Sequence, residues 1–172
     1  MEEKQGDGEH PWAATWRLAL EKAYAVVAAA SSNQVVVGAD TSVVLDGRMY
    51  GKPIGETDAC RMLLELAGRS HRVVTAWAAV GAENGGGRRL LSGFSTSTVR
   101  MREVEPAEAR AYARSGEPLD KAGAYAVQGR GRALVAAVEG SRDNVIGLPT
   151  RQVACALERL GVFPAPGAGE RR

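Results

Sequence analysis

The chain has 172 residues, 22 Lys and Arg against 20 Asp and Glu, and a formal net charge of +2. That is one domain with enough chain for a sizeable core. It carries no broad basic field of the kind nucleic-acid binding needs, and no apolar run near the length of a membrane span. Met1 to Glu9 is polar and acidic rather than a secretory leader. Cys60 and Cys155 fall in predicted helices, with no CxxC or Cys/His cluster. They read as reduced core thiols of a cytoplasmic protein, so a bound metal should be a hard, oxygen-liganded one. Only Lys4, Lys22, Lys52 and Lys121 are lysines among the basic residues, and three of these fall in the stretches singled out below.

After a polar, frayed start, Pro11 suits the first turn of a helix running from about Trp12 to Ala30. Its apolar stripe is expected at Trp12, Trp16, Leu20, Ala23 and Val27. Glu21 and Lys22 lie off that stripe, as a solvated flank would. Val35 to Val37 read as a short buried strand, with Asp40 and Thr41 just past it. Asp46-Gly47 is a two-residue hairpin signal, which pairs Leu45 with Arg48. Counting outward, Thr41 lies opposite Lys52. A carboxylate, a hydroxyl and an ammonium then meet at one hairpin end. Such a trio can hold a cation and a phosphate, and equally fits a charged hairpin end closed by a cross-strand ion pair.

Thr57 is the expected N-cap of the next helix, whose inner face is Ala59, Met62, Leu63 and Leu66, with Gly68 as its stop. His71 to Val80 and Leu90 to Met101 read as strands around a flexible reversal at residues 83 to 87. His71 reads as a strand-entry hydrogen bonder, since no second His or Cys stands near it. Pro106 opens a helix with Ala109, Tyr112 and Ala113 inward. A turn-rich segment, Gly116 to Tyr125, carries both signs of charge. Leu134 to Val138 is a strand, Gly140 to Leu148 a loop, and Pro149 opens a last helix facing inward with Val153, Ala156, Leu157 and Leu160. Residues 163–172 read as a disordered tail, leaving a domain over 1–162. The order of elements gives an α/β or α+β fold class: a single domain with a central mixed sheet flanked by helices.

Several runs together resemble the Maf family of nucleoside triphosphate pyrophosphatases. They are Leu18 to Ala23, Gly38-Ala39-Asp40-Thr41, Leu45-Asp46-Gly47 with Gly51-Lys52-Pro53, Met62-Leu63 with Leu66 to Arg69, His71 to Thr75, Gly116 to Tyr125, Gln128-Gly129 and Asn144 to Pro149. They occur in the family's order from about residue 12 to 161. The resemblance implies an inosine-triphosphatase-like fold with a deep cleft. It also implies Mg²⁺- or Mn²⁺-dependent cleavage between the α and β phosphates of dTTP and UTP. A homodimer in the cytoplasm is expected as well, without nucleic acid or membrane as partner. Asp40 matches the family's proton acceptor and can equally ligate metal. Lys22 and Lys52 match lysines that hold phosphate oxygens, and Thr41 and Gln128 match positions linked to pyrimidine choice. Lys121 lies in a matching motif, and Glu3 falls near a metal-binding Glu without a motif of its own.

Gln128 offers both an acceptor and a donor, as a pyrimidine edge with N3–H and O4 requires. Family members open with a strand and a Ser-x-x-Arg-Arg-type loop leading into a helix. The chain has no counterpart to it, so the resemblance implies a domain N-terminally incomplete by roughly 30 residues, with an open sheet edge. A second reading is therefore a catalytically impaired nucleotide-binding or interaction protein of the same fold, of the septum-formation-inhibitor type. A third is a purine-analogue pyrophosphatase on the related fold.

Overall fold

A computed structural model describes residues 5–31, 33–82 and 87–162. The elements run α1 (Pro11–Val27), β1 (Val36–Leu45), β2 (Arg48–Tyr50), α2 (Glu56–Leu66), β3 (Ser70–Ala82), β4 (Arg88–Met101), α3 (Pro106–Ala113), β5 (Val135–Glu139), α4 (Arg142–Ile146) and α5 (Thr150–Arg159). Three short 3₁₀ turns, at Glu117–Asp120, Ala122–Ala124 and Gly129–Leu134, lie between α3 and β5. The central sheet is five-stranded in the order β2-β1-β3-β4-β5. The expected α/β domain with helices around a central sheet is present. The sheet departs from the mixed one expected: every pairing among the described residues is antiparallel. β2 and β3 flank β1 and both run against it, so α2 joins two strands of the same direction across β1, while α3 returns the chain to the end of the sheet that β4 reaches.

Strand alternation divides the molecule into two sides. On one, β1 and β3 present Val36, Gly38, Ala78 and Val80 to α1, with Ala23 in the same cluster. On the other, Val43, Leu45 and Val73 join α2, α3 and the 3₁₀ segment in the main core. Trp77 and Ala79 meet Val153 and Ala156 of α5 further along that same face.

The α1 contact is unusually close. A Cβ on Gly38 would lie 2.5 Å from both the Ala19 carbonyl oxygen and the Ala23 nitrogen. Such an approach needs small residues, which is why the buried face of α1 is Pro11, Ala14, Thr15, Leu18, Ala19 and Ala23. The stripe expected through Trp12 and Trp16 is therefore displaced. Trp16 is exposed, and Trp12 lies under the Arg72 guanidinium, 5.7 Å from its ring centroid. The helix also ends at Val27, short of Ala30. Residues 5–10 are held rather than frayed: the Glu9 carboxylate takes two 2.9 Å hydrogen bonds from Arg17, and His10 caps the helix.

Other expectations shift for local reasons. Gly55, not Thr57, is the N-cap of α2; Asp58 in the first turn accepts the Ile54 N–H at 3.1 Å and so satisfies the preceding backbone. Part of the Gly140–Leu148 loop is helical, because Ser141 caps α4 by accepting the Asn144 N–H at 3.3 Å. Val37 is exposed rather than buried. Cys155 is exposed rather than in the core, and Cys60 is half-buried. The turn at Asp46 and Gly47 forms as expected, with positive φ at both residues.

His71 is buried at the root of β3 and lies 2.6 Å from the Tyr125 hydroxyl through Nε2. Burial pushes its imidazole down to about 4 and pushes the Tyr125 phenol well above its usual range.

Two outcomes follow. Gly38→Val forces α1 off β1 and should cost about 1–3 kcal/mol or more of stability, read by urea unfolding. His71 is neutral when folded but takes a proton near its ordinary value when unfolded. Its contribution is complete above pH 6.5 and is lost as pH falls towards 4. Between pH 6.5 and 5 the loss should be roughly 2 kcal/mol. His71→Gln should flatten that slope, and an unchanged slope would contradict the assignment.

Candidate active-site cleft

The site begins where two strands part. β2 pairs with β1 only through Val43, Val44 and Leu45, whereas β3 follows β1 from Val36 to Val44. Among the described residues, 36–42 of β1 thus have a strand neighbour on one side alone. The divergence has a local cause. After Tyr50 the chain turns away: the Gly51 carbonyl accepts the Gly123 N–H at 3.0 Å, and Pro53 has no N–H to donate to a ladder. Gly123 is held at φ 68°, and a Cβ there would come within 2.9 Å of Val43. A cleft of about 220 Å³ opens at this fork and wraps around the β1 edge.

Successive residues of β1 point to opposite faces, and the two faces supply different groups. Asp40 lies on the α1 side. Its carboxylate is 5% exposed, and Oδ1 receives the Lys22 ammonium at 2.6 Å. Two turns of α1 and the Gly38 contact set this pairing. A carboxylate so buried needs a cationic partner, because removing one member of such a pair leaves a desolvated charge. Lys22 is therefore not a solvated flank. Thr41 lies on the opposite face, with Val43, Val73, Val127, Val145 and Ile146 around the same cleft. Thr41 Oγ1 is 2.9 Å from Thr75 Oγ1, which donates to the Asn144 carbonyl at 2.7 Å.

Lys52, just beyond β2, and Lys121, beside Asp120, reach the cleft from its outer lip. Lys121 and Asp120 pair at 2.6 Å on the surface, and this contact holds the Asp120 carboxyl below its usual range, with Lys52 adding to the effect. The lining thus combines a charged set, Lys22, Asp40, Lys52, Asp120 and Lys121, with an apolar set, Val43, Val73, Val127, Val145 and Ile146. The first is an anion site by charge, the second a slot for a flat, weakly polar ring.

Lys22, Asp40, Thr41, Lys52 and Lys121, expected from sequence, all line this one cleft. The register differs from the counted one: Thr41 stands opposite Thr75 of β3, not Lys52, and Asp40 opposite Ala76. Gln128 is exposed and is not a lining residue, although its neighbour Val127 is. Glu3 lies outside the described residues. Thr75 and Asn144 lie in runs that resemble the family, His71 to Thr75 and Asn144 to Pro149, but no role was read for either, since their partners depend on long-range pairing. Asn144 is fully buried and donates through Nδ2 to the Val73 carbonyl at 3.0 Å and Ser97 Oγ at 2.9 Å, which fixes α4 to the sheet. Glu117 explains the turn-rich motif: its carboxylate accepts N–H groups from Gly131 and Arg130 and the Tyr112 hydroxyl. The Gly131 amide, first, keeps that carboxyl below its usual range.

Among the described residues no group of three or more His, Cys, Asp or Glu side chains could hold a metal by itself. The donor set nevertheless fits a hard divalent cation shared with a substrate. Mg²⁺ is typically bound through one or two carboxylates plus phosphate oxygens and water, and Asp40 offers such a carboxylate beside the lysines. No helix among the described residues is long and apolar enough to cross a membrane.

Comparison with known proteins agrees with this geometry. The chain is 47% identical over 152 residues to a dTTP/UTP pyrophosphatase of Moorella thermoacetica, covering 88% of this chain and 76% of that protein. It is 41% identical over 162 residues to a dTTP/UTP pyrophosphatase of Xanthomonas campestris, covering 92% and 83% respectively. A dTTP/UTP pyrophosphatase of Myxococcus xanthus is 43% identical over 166 residues, covering 96% and 81%. A family model described as Maf-like protein matches residues 1–160, so the chain belongs to the Maf-like protein family.

Proposed function

We propose that the protein hydrolyses the α–β phosphoanhydride of dTTP and UTP, giving the nucleoside monophosphate and pyrophosphate. The observation that carries this reading is one cleft lined both by charged groups, Lys22, Asp40, Lys52, Asp120 and Lys121, and by apolar ones, Val43, Val73, Val127, Val145 and Ile146. The names of the relatives support the same activity. Phosphoryl transfer needs charge neutralisation and an aligned water more than covalent help from the protein.

In this reading Asp40 accepts a proton from the attacking water, and Lys22 holds the carboxylate in place. Lys52 and Lys121, on their mobile stems, hold the oxygens of the departing pyrophosphate. A divalent cation, when bound at Asp40, neutralises phosphate charge. The apolar lining takes the pyrimidine ring, with Gln128 near the rim as a second candidate for contact with the base. The reading extends to a homodimer working in the cytoplasm; the free Cys60 and Cys155 suit a reducing compartment.

The test is to incubate the purified chain with dTTP or UTP and Mg²⁺ or Mn²⁺ and follow pyrophosphate and monophosphate. Asp40→Asn should lower kcat by about 10²–10⁴-fold, the range for removal of a positioned base. Release of orthophosphate and the nucleoside diphosphate would refute the anhydride assignment. A folded protein that binds nucleotide and releases nothing would leave a binding or interaction role in its place.

A further inference from the structure

The hydroxyl chain behind Thr41 has a fixed polarity. The Asn144 carbonyl can only accept, so the single Thr75 hydroxyl hydrogen is committed to it across 2.7 Å. The 2.9 Å contact between Thr75 and Thr41 then needs its hydrogen from Thr41. Both donors are consumed within the protein. What Thr41 presents to the cleft is an oxygen lone pair.

Two features make this a property of a binding site rather than of the core alone. Thr75 and Asn144 are fully buried and shielded from competing water, so the chain cannot be reversed by solvent. The space before Thr41 is kept open by Gly147, at φ 123°, where a Cβ would stand 3.4 Å from the Thr41 hydroxyl oxygen. Around it the cleft is apolar, and the other hydroxyl there, on Tyr125, is engaged with His71.

We propose that Thr75 is a positioning residue for base selection: by holding the Thr41 hydroxyl as an acceptor, it makes the cleft take a pyrimidine with an N3–H donor and refuse one with a bare N3. This deepens the pyrophosphatase reading and rests on it for the identity of the ligand. Uracil and thymine carry the N3–H; cytosine carries a lone pair at N3, which meets the Thr41 oxygen acceptor to acceptor. A site built to accept a particular hydrogen discriminates because the wrong ligand leaves a buried polar group unpaired. Gly38-Ala39-Asp40-Thr41 then supplies base choice from one side of the strand and water activation from the other.

The experiment measures binding of the non-hydrolysable α,β-imido analogues of UTP and CTP by calorimetry, with Mg²⁺, to wild type, Thr75→Val and Thr75→Ser. Wild type should prefer the uridine analogue by about tenfold or more. Thr75→Val frees the Thr41 hydroxyl to rotate and donate, and should bring the ratio within about threefold; Thr75→Ser should keep the wild-type ratio. A merely structural role would weaken both analogues alike with the ratio unchanged, and that result overturns the proposal, as does a wild type without preference or without binding.

If Thr75→Val does not fold, wild type is tested with the N3-methyluridine analogue. Loss of about tenfold or more in affinity supports the acceptor role, and affinity equal to that of the uridine analogue overturns it. The two readings fail separately. A wild type that prefers the uridine analogue but does not hydrolyse UTP defeats the pyrophosphatase reading alone. One that hydrolyses UTP and CTP equally well defeats this proposal alone.

Discussion

The buried carboxylate of Asp40 is the constraint around which the rest of the cleft is arranged. At 5% exposure an isolated charge would be strongly disfavoured, and the Lys22 ammonium meets it at 2.6 Å. Lys22 reaches that position only because α1 lies directly on β1, and α1 lies there only because residue 38 is glycine and residues 19 and 23 are alanine. A run of small residues therefore places the cationic partner of the buried carboxylate. The same contact also seals one face of the sheet.

The cleft exists because β2 leaves β1 early. Where the two strands part, both faces of a single strand become available to one ligand. Asp40 lies on the α1 face, and Thr41 on the face covered by α4 and the 3₁₀ turns. The turns are held in their own right. Glu117 gathers the amides of residues 130 and 131, and Gly123 ties the second turn to Gly51. Asn144 anchors α4 to β3 and β4 and supplies the carbonyl at the end of the hydroxyl chain. Packing and polarity around Thr41 thus share the same residues.

Much of this was legible in the sequence, and the exceptions share a cause. The Asp46-Gly47 turn, the inward faces of α2 and α3 and the motif residues Asp40, Lys22, Lys52 and Lys121 follow from local pattern and from matching runs. What failed depended on long-range approach. The α1 stripe was misplaced because indoles look like core residues until Gly38 shows how little room there is. The Thr41 register was miscounted because the ladder with β2 stops at Val43, and the stop is set by Gly51 and Gly123, far apart in the chain. Thr75 and Asn144 fall in matching runs but show no role there, since a threonine in a strand and an asparagine in a short helix are commonplace until paired. The antiparallel pairings likewise rest on the strand order, with β1 lying between β2 and β3, which local periodicity does not encode.

The central claim is that Lys22 and Asp40 act as one unit, and a double-mutant cycle measures that most directly. Pyrophosphate release from UTP would be compared for wild type, Lys22→Met, Asp40→Asn and the double variant. The account predicts strong non-additivity, with the second substitution adding little to the first and a coupling of about 1–3 kcal/mol. Effects on kcat/KM that simply add would show that the two side chains work independently, and would contradict it.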